Sequence, residues 1–144
     1  MKKSASTLLL AIFMCKAFSQ MPNPDAQRII QEDCESRIFV RVETLPSVKP
    51  GKRAFEDSLY SQLKPFATTT PKICLYRFIV TKSAKIVDVS RLSGDSTIET
   101  PLILALIKFS NMWRPAEQNS YPVCSAVKLQ IELAESDLKV EIGQ

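Results

Sequence analysis

The chain has no histidine among its 144 residues. That removes the commonest general base and the commonest neutral metal ligand. A Ser-His-Asp or Cys-His catalytic site cannot be assembled within it. Cysteine is also scarce. Cys34, Cys74 and Cys124 stand 40 and 50 residues apart, a spacing that matches no zinc pattern, and three thiolates without histidine make a poor zinc site. The apolar run from Leu8 to Cys15 covers eight residues before Lys16 cuts it. A membrane helix needs about 20. There is no internal repeat and no low-complexity block. Tyr60, Tyr76, Tyr121, the acids and the basic residues form no catalytic set, and Asp88 and Asp95 read as solvated surface. The expectation is therefore no catalytic residue, no cofactor, no metal and no small-molecule substrate.

The start of the chain carries an address. Lys2 and Lys3 precede the short apolar run, and Ala17-Phe18-Ser19 offers small residues where a signal peptidase reads. Residues 1–19 fit a secretory signal with cleavage near Ser19-Gln20. Lipidation at Cys15 and an uncleaved membrane anchor are the alternatives. Removing residues 1–19 takes three lysines and leaves 16 basic residues against 15 acidic over 125 residues. Such a balance calls for no nucleic acid and no acidic membrane surface. The remaining length suits one ordinary domain with its own core. In an exported protein, three cysteines read as one disulfide and one leftover thiol.

Residues 20–36, with Pro22 and Pro24, read as a flexible lead-in with little to bury. This stretch is too short and too poor in proline to cross a periplasm. Ile38, Val40 and Val42 alternate with polar neighbours, which predicts a strand over 37–43. Phe55, Leu59 and Leu63 repeat every four residues and predict an amphipathic helix over 52–64, stopped by Pro65. Lys72–Thr81 reads as a strand whose core face carries Cys74, Tyr76, Phe78 and Val80. Lys82-Ser83-Ala84 turns it into a return strand over 85–92, where Ile86-Val87-Asp88 points to a bulge. A buried helix follows over 102–109, its start contested between Ser96-Thr97-Ile98-Glu99 and Thr100-Pro101. Val123–Leu133 alternates most cleanly and predicts a half-exposed antiparallel strand. Its apolar set lies opposite Cys124, so Cys74 and Cys124 occupy opposite faces and are badly placed to bond. Cys34 reaches either, and a buried free Cys74 is preferred. Residues 135–144 read as an acidic tail.

The order strand, helix, strand, strand, helix, strand closes on Trp113-Arg114-Pro115-Ala116 and Pro122-Val123. Leu45-Pro46 and Pro50-Gly51 stand before the first helix, and Phe78-Ile79-Val80 leads into Lys82 to Val89. Together these resemble the C-terminal domain of the TonB family, from about Val42 to Leu133. Ser83-Ala84 replaces the family's Asp-Gly, and Arg91 replaces an apolar residue. The resemblance implies an α+β domain over 37–134, a three- to four-stranded antiparallel sheet packed against two helices. Trp113, Pro115, Ala116 and Pro122 form its structural motif. It also implies a periplasmic partner, the peptide segment or plug of an outer-membrane transporter, added as a strand in energy-coupled transport. The expected edge runs through Val123, Ser125, Ala126, Val127, Lys128, Leu129 and Gln130. Lys128 and Glu132 read equally well as charges that blunt this edge. Energy coupling in that family needs an inner-membrane helix and a long spacer, and the expectation here is a module that does not transmit force alone. A structural or adaptor role in the cell envelope is the alternative. A homodimer stays open.

Overall fold

A computed structural model describes residues 23–144. The expected signal segment and its cleavage point lie outside the described residues. The first element is a helix, α1, over Pro24–Cys34. The Asn23 side chain caps it by accepting the Asp25 N–H at 3.0 Å, and Pro24 stands at the first helical position, where its missing N–H costs nothing. Ala26, Ile30 and Cys34 recur every four residues and are buried. The expectation of a flexible lead-in over residues 20–36 is corrected from Pro24 onward.

The following elements are β1 (Ser47–Val48), α2 (Lys52–Leu63), β2 (Lys72–Val80), β3 (Ile86–Gly94) and α3 (Glu99–Lys108). Then come β4 (Trp113–Arg114), β5 (Ala116–Gln118), β6 (Tyr121–Val123), β7 (Ser125–Leu133) and β8 (Leu138–Gly143). The fold class is α+β. The main sheet is antiparallel with strand order β3-β2-β7-β8. Two pairs of short strands, β1 with β4 and β5 with β6, stand apart from it.

Period-two alternation sorts the sheet into two faces. Cys74, Tyr76, Phe78 and Val80 from β2 join Val127, Leu129, Ile131 and Leu133 from β7, and Leu138 and Val140 from β8. Against them pack Phe55, Leu59 and Leu63 from α2 and Leu102, Ala105 and Leu106 from α3. The opposite face holds a smaller cluster of Ala26, Ile30, Cys34, Ile79, Val87 and Cys124. So α2 and α3 cover one face and α1 covers part of the other.

The hairpin turn is tight. Thr81 N–H donates to Lys85 O at 2.9 Å, and Ala84 takes φ 64°. Asp88 takes φ 57° at a break in the β2–β3 register, the bulge expected from its sequence. Gly94, at φ 97°, is obligatory. A Cβ there would run into the Ile73 carbonyl oxygen and the Cys74 Cα.

Two expected boundaries change. Residues 37–43 form no strand and make a single bridge, Phe39 with Ser125, while Thr44 bridges Glu117. Only Ser125, Ala126 and Val127 of β7 extend past the end of β8, so this segment finds almost no free edge to join. The fourth strand of the sheet is instead β8, in the region expected to be a tail. Leu138, Val140 and Ile142 alternate with Lys139, Glu141 and Gly143, which is a strand pattern after a turn closed by Ala134 N–H to Asp137 O at 2.9 Å.

Candidate functional site

The residues expected to form a binding edge sit on β6 and β7. Val123 pairs with Ala116 in the β5–β6 hairpin. Its tip, Asn119-Ser120, has φ 52° and 65°, the left-handed pair that a two-residue hairpin needs. Ser125 to Gln130 lie on β7, but β7 is not an edge. Along one side it pairs with β2 from Ser125 to Leu133, and along the other with β8 from Lys128 to Leu133. The short remainder is closed by Phe39, whose N–H donates to Cys124 O at 2.9 Å and whose carbonyl accepts from Ala126 N–H at 3.0 Å. A receptor segment has no vacant ladder on Ser125, Ala126, Val127, Lys128, Leu129 or Gln130, whereas Val123 lies on β6, which pairs on one side only, with β5. The expected edge is therefore corrected: β8 already fills it.

The structural motif is where the core closes. Trp113 is fully buried. Its ring stands edge-on to Phe55 and to Phe78, both at 5.5 Å between centroids, the arrangement that aromatic quadrupoles favour. Ala116 is fully buried too. Pro115 separates β4 from β5, and the exposed Pro122 opposes Glu117 in β6, so Trp113 and Ala116 are the part of the motif that closes the core.

The cysteines resolve as the faces require. Cys34 and Cys124 form a disulfide across 90 residues, binding α1 to the start of β7. Cys74 is free and buried. Its thiol donates to Asp95 O at 3.5 Å, and burial pushes its pKa up. A reactive thiolate needs the opposite shift. Asp95 is occupied as well. Its carboxylate accepts the Thr97 N–H at 2.7 Å and lies 3.7 Å from Lys72 Nζ, and the Thr97 hydrogen bonds hold it below the usual carboxylate range. Asp33 fastens α1 to the hairpin turn by accepting from Ser83 Oγ at 2.6 Å. Burial works to raise its pKa, and the hydrogen bonds from Ser83 and Thr81 outweigh that and lower it. No group of three or more metal-binding side chains occurs among the described residues.

The outer edge of the sheet is now β8, and α2 closes part of it. Glu56 accepts the Val140 N–H at 3.2 Å, and Lys52 lies 3.3 Å from Glu141. Beyond that cap the edge opens into a groove of about 410 Å³ between β8 and β1. Ser47, Val48, Lys49, Arg114, Glu141 and Ile142 are among its walls. Lys49 and Arg114 pair with no carboxylate among the described residues. This groove was not read from sequence, because its far wall belongs to β8. The alternation of Leu138, Val140 and Ile142 was the signal that could have found it.

No protein-family model matches the chain, and comparison with curated proteins and with solved structures returns no match.

Proposed function

We propose that this chain is an exported protein-binding module of the cell envelope, similar to a TonB C-terminal domain whose strand-accepting edge is filled from within. The observation that carries this reading is β8, paired with β7 over six residues from Lys128 to Leu133. The helix-hairpin-helix-strand order from α2 to β7 supports the resemblance. The Cys34–Cys124 disulfide supports an oxidising compartment such as a periplasm. With β7 occupied, a transporter segment does not add along that strand as in the family. The module acts as an adaptor that holds an envelope partner, an outer-membrane transporter being the class the resemblance suggests, and does not pull on it.

The test is site-directed photo-crosslinking in intact cells, with the crosslinker at Val40, Leu104 or Tyr121. These side chains are 65%, 63% and 73% exposed, so the substitutions leave the core alone. The expected result is a discrete adduct with one envelope protein from at least one position. Absence of any adduct from all three positions would contradict the reading.

A further inference from the structure

Two backbone edges face each other across the groove between β1 and β8. In an antiparallel pair, residues alternately turn their N–H and C=O toward the partner strand and away from it. The Val140 N–H points away from β7, since it donates to Glu56. Ile142 has the same parity, so its N–H and C=O also point outward, and it lines the groove. On the other wall, the Lys49 N–H donates to Met112 O at 2.7 Å. That bond lies on the β4 side, so Val48, one residue earlier, turns its N–H away from β4. Val48 also lines the groove. Its carbonyl is already used, accepting from Gly51 N–H at 3.0 Å.

The charge around these edges is one-sided. Lys49, Lys52 and Arg114 face Glu141 alone among the charged lining residues. Lys52 is shared between Glu56 and Glu141, at 4.0 and 3.3 Å. Lys49 and Arg114 are left without a carboxylate among the described residues, and both are exposed.

We infer that this groove takes an extended acidic segment of a partner protein, laid as a short strand between β8 and β1. The inference rests on the protein-binding reading given above. An extended peptide supplies an N–H for the Ile142 carbonyl and carbonyls for the Ile142 and Val48 N–H groups, which is strand addition. Its alternate side chains are carboxylates that reach Lys49 and Arg114, fixing register and speeding encounter. A nucleic-acid backbone would satisfy the cations but has no N–H to give the Ile142 carbonyl. Glu56 closes the edge at Val140, so the added strand is confined to the Ile142 end of β8.

The test uses the full chain, disulfide intact and labelled with ¹⁵N, titrated with two peptide mixtures. One is a set of nonapeptides alternating Glu with Val, Ile or Leu, and the other has Lys in place of Glu. The expected result is a saturable movement of the Val48 and Ile142 amide signals with the acidic set and not with the Lys set. The double variant Lys49→Glu/Arg114→Glu, which alters exposed side chains only, should bind the acidic set about tenfold more weakly or worse. Still signals at both amides, or an equal response to the Lys set, overturns the inference. A silent groove alongside a surviving envelope adduct from Val40, Leu104 or Tyr121 removes the groove and leaves the module. A silent groove with no adduct removes both.

Discussion

Trp113 sets the residue scale. It is the single tryptophan of the chain, it joins the end of the α3 region to β4, and its indole meets Phe55 from α2 and Phe78 from β2. One side chain therefore ties its own strand, β4, to α2 and β2. Its Nε1–H has no partner among the described residues, so the ring acts through packing. Trp113→Ala should cost about 3–5 kcal/mol, as large aromatic truncations in cores do. Urea unfolding measures it, and an unchanged midpoint would mean the ring is not the core closure described. This role was legible in the sequence, because a tryptophan ending an apolar helix has few other places to go. The same held for Cys74 and Cys124, whose strand parity placed them on opposite faces before any contact was known. Glu56 was not legible as a cap. An acid in the first half of an amphipathic helix complements the helix dipole, and nothing local says that it reaches the N–H of a residue 84 positions away.

Among the elements, α2, β2 and β7 follow their hydrophobic periods, β3 loses its alternation at the Asp88 bulge, and the structure departs from the pattern at the ends of the chain. Prolines at 22 and 24 read as breakers, yet proline at a first helical position favours a helix, and Ala26, Ile30 and Cys34 formed the stripe that α1 buries. Residues 37–43 alternate like a strand, but alternation supplies only a face. A strand also needs an open edge, and β8 had taken it. The tail was judged by its acids rather than by the period of Leu138, Val140 and Ile142. What holds α1 in place is the Cys34–Cys124 disulfide, with Asp33 and Ser83 beside it. Closing a loop of this length contributes about 4–5 kcal/mol in chain-entropy terms. Reduction should lower the melting temperature by about 10 °C or more. An unchanged melting temperature after verified reduction would show that α1 is docked without the bond.

At the scale of the whole molecule, the sheet has two ends and neither is a plain edge. On one side β3 carries a bulge at Asp88 and a register shift near Tyr76. On the other, Glu56 caps β8 at Val140. Bulges and capping charges are common means of discouraging edge-to-edge association. The strand addition proposed above is then confined to the stretch left open beside Ile142, as the proposed adaptor role requires. The account turns on β7 lying inside the sheet. Ala126 donates its N–H to Phe39 on the β8 side, so by alternation Gln130 and Glu132 donate toward β8, opposite Glu141 and Lys139. Native-state hydrogen exchange read at these two amides is the most direct test. The account predicts that both are slowed by about a thousandfold or more, like the Leu129 and Ile131 amides that face β2, because paired strands in a core open only at several kcal/mol. Fast exchange at Gln130 and Glu132 beside protected Leu129 and Ile131 would mean that β7 is an open edge after all, and would contradict it.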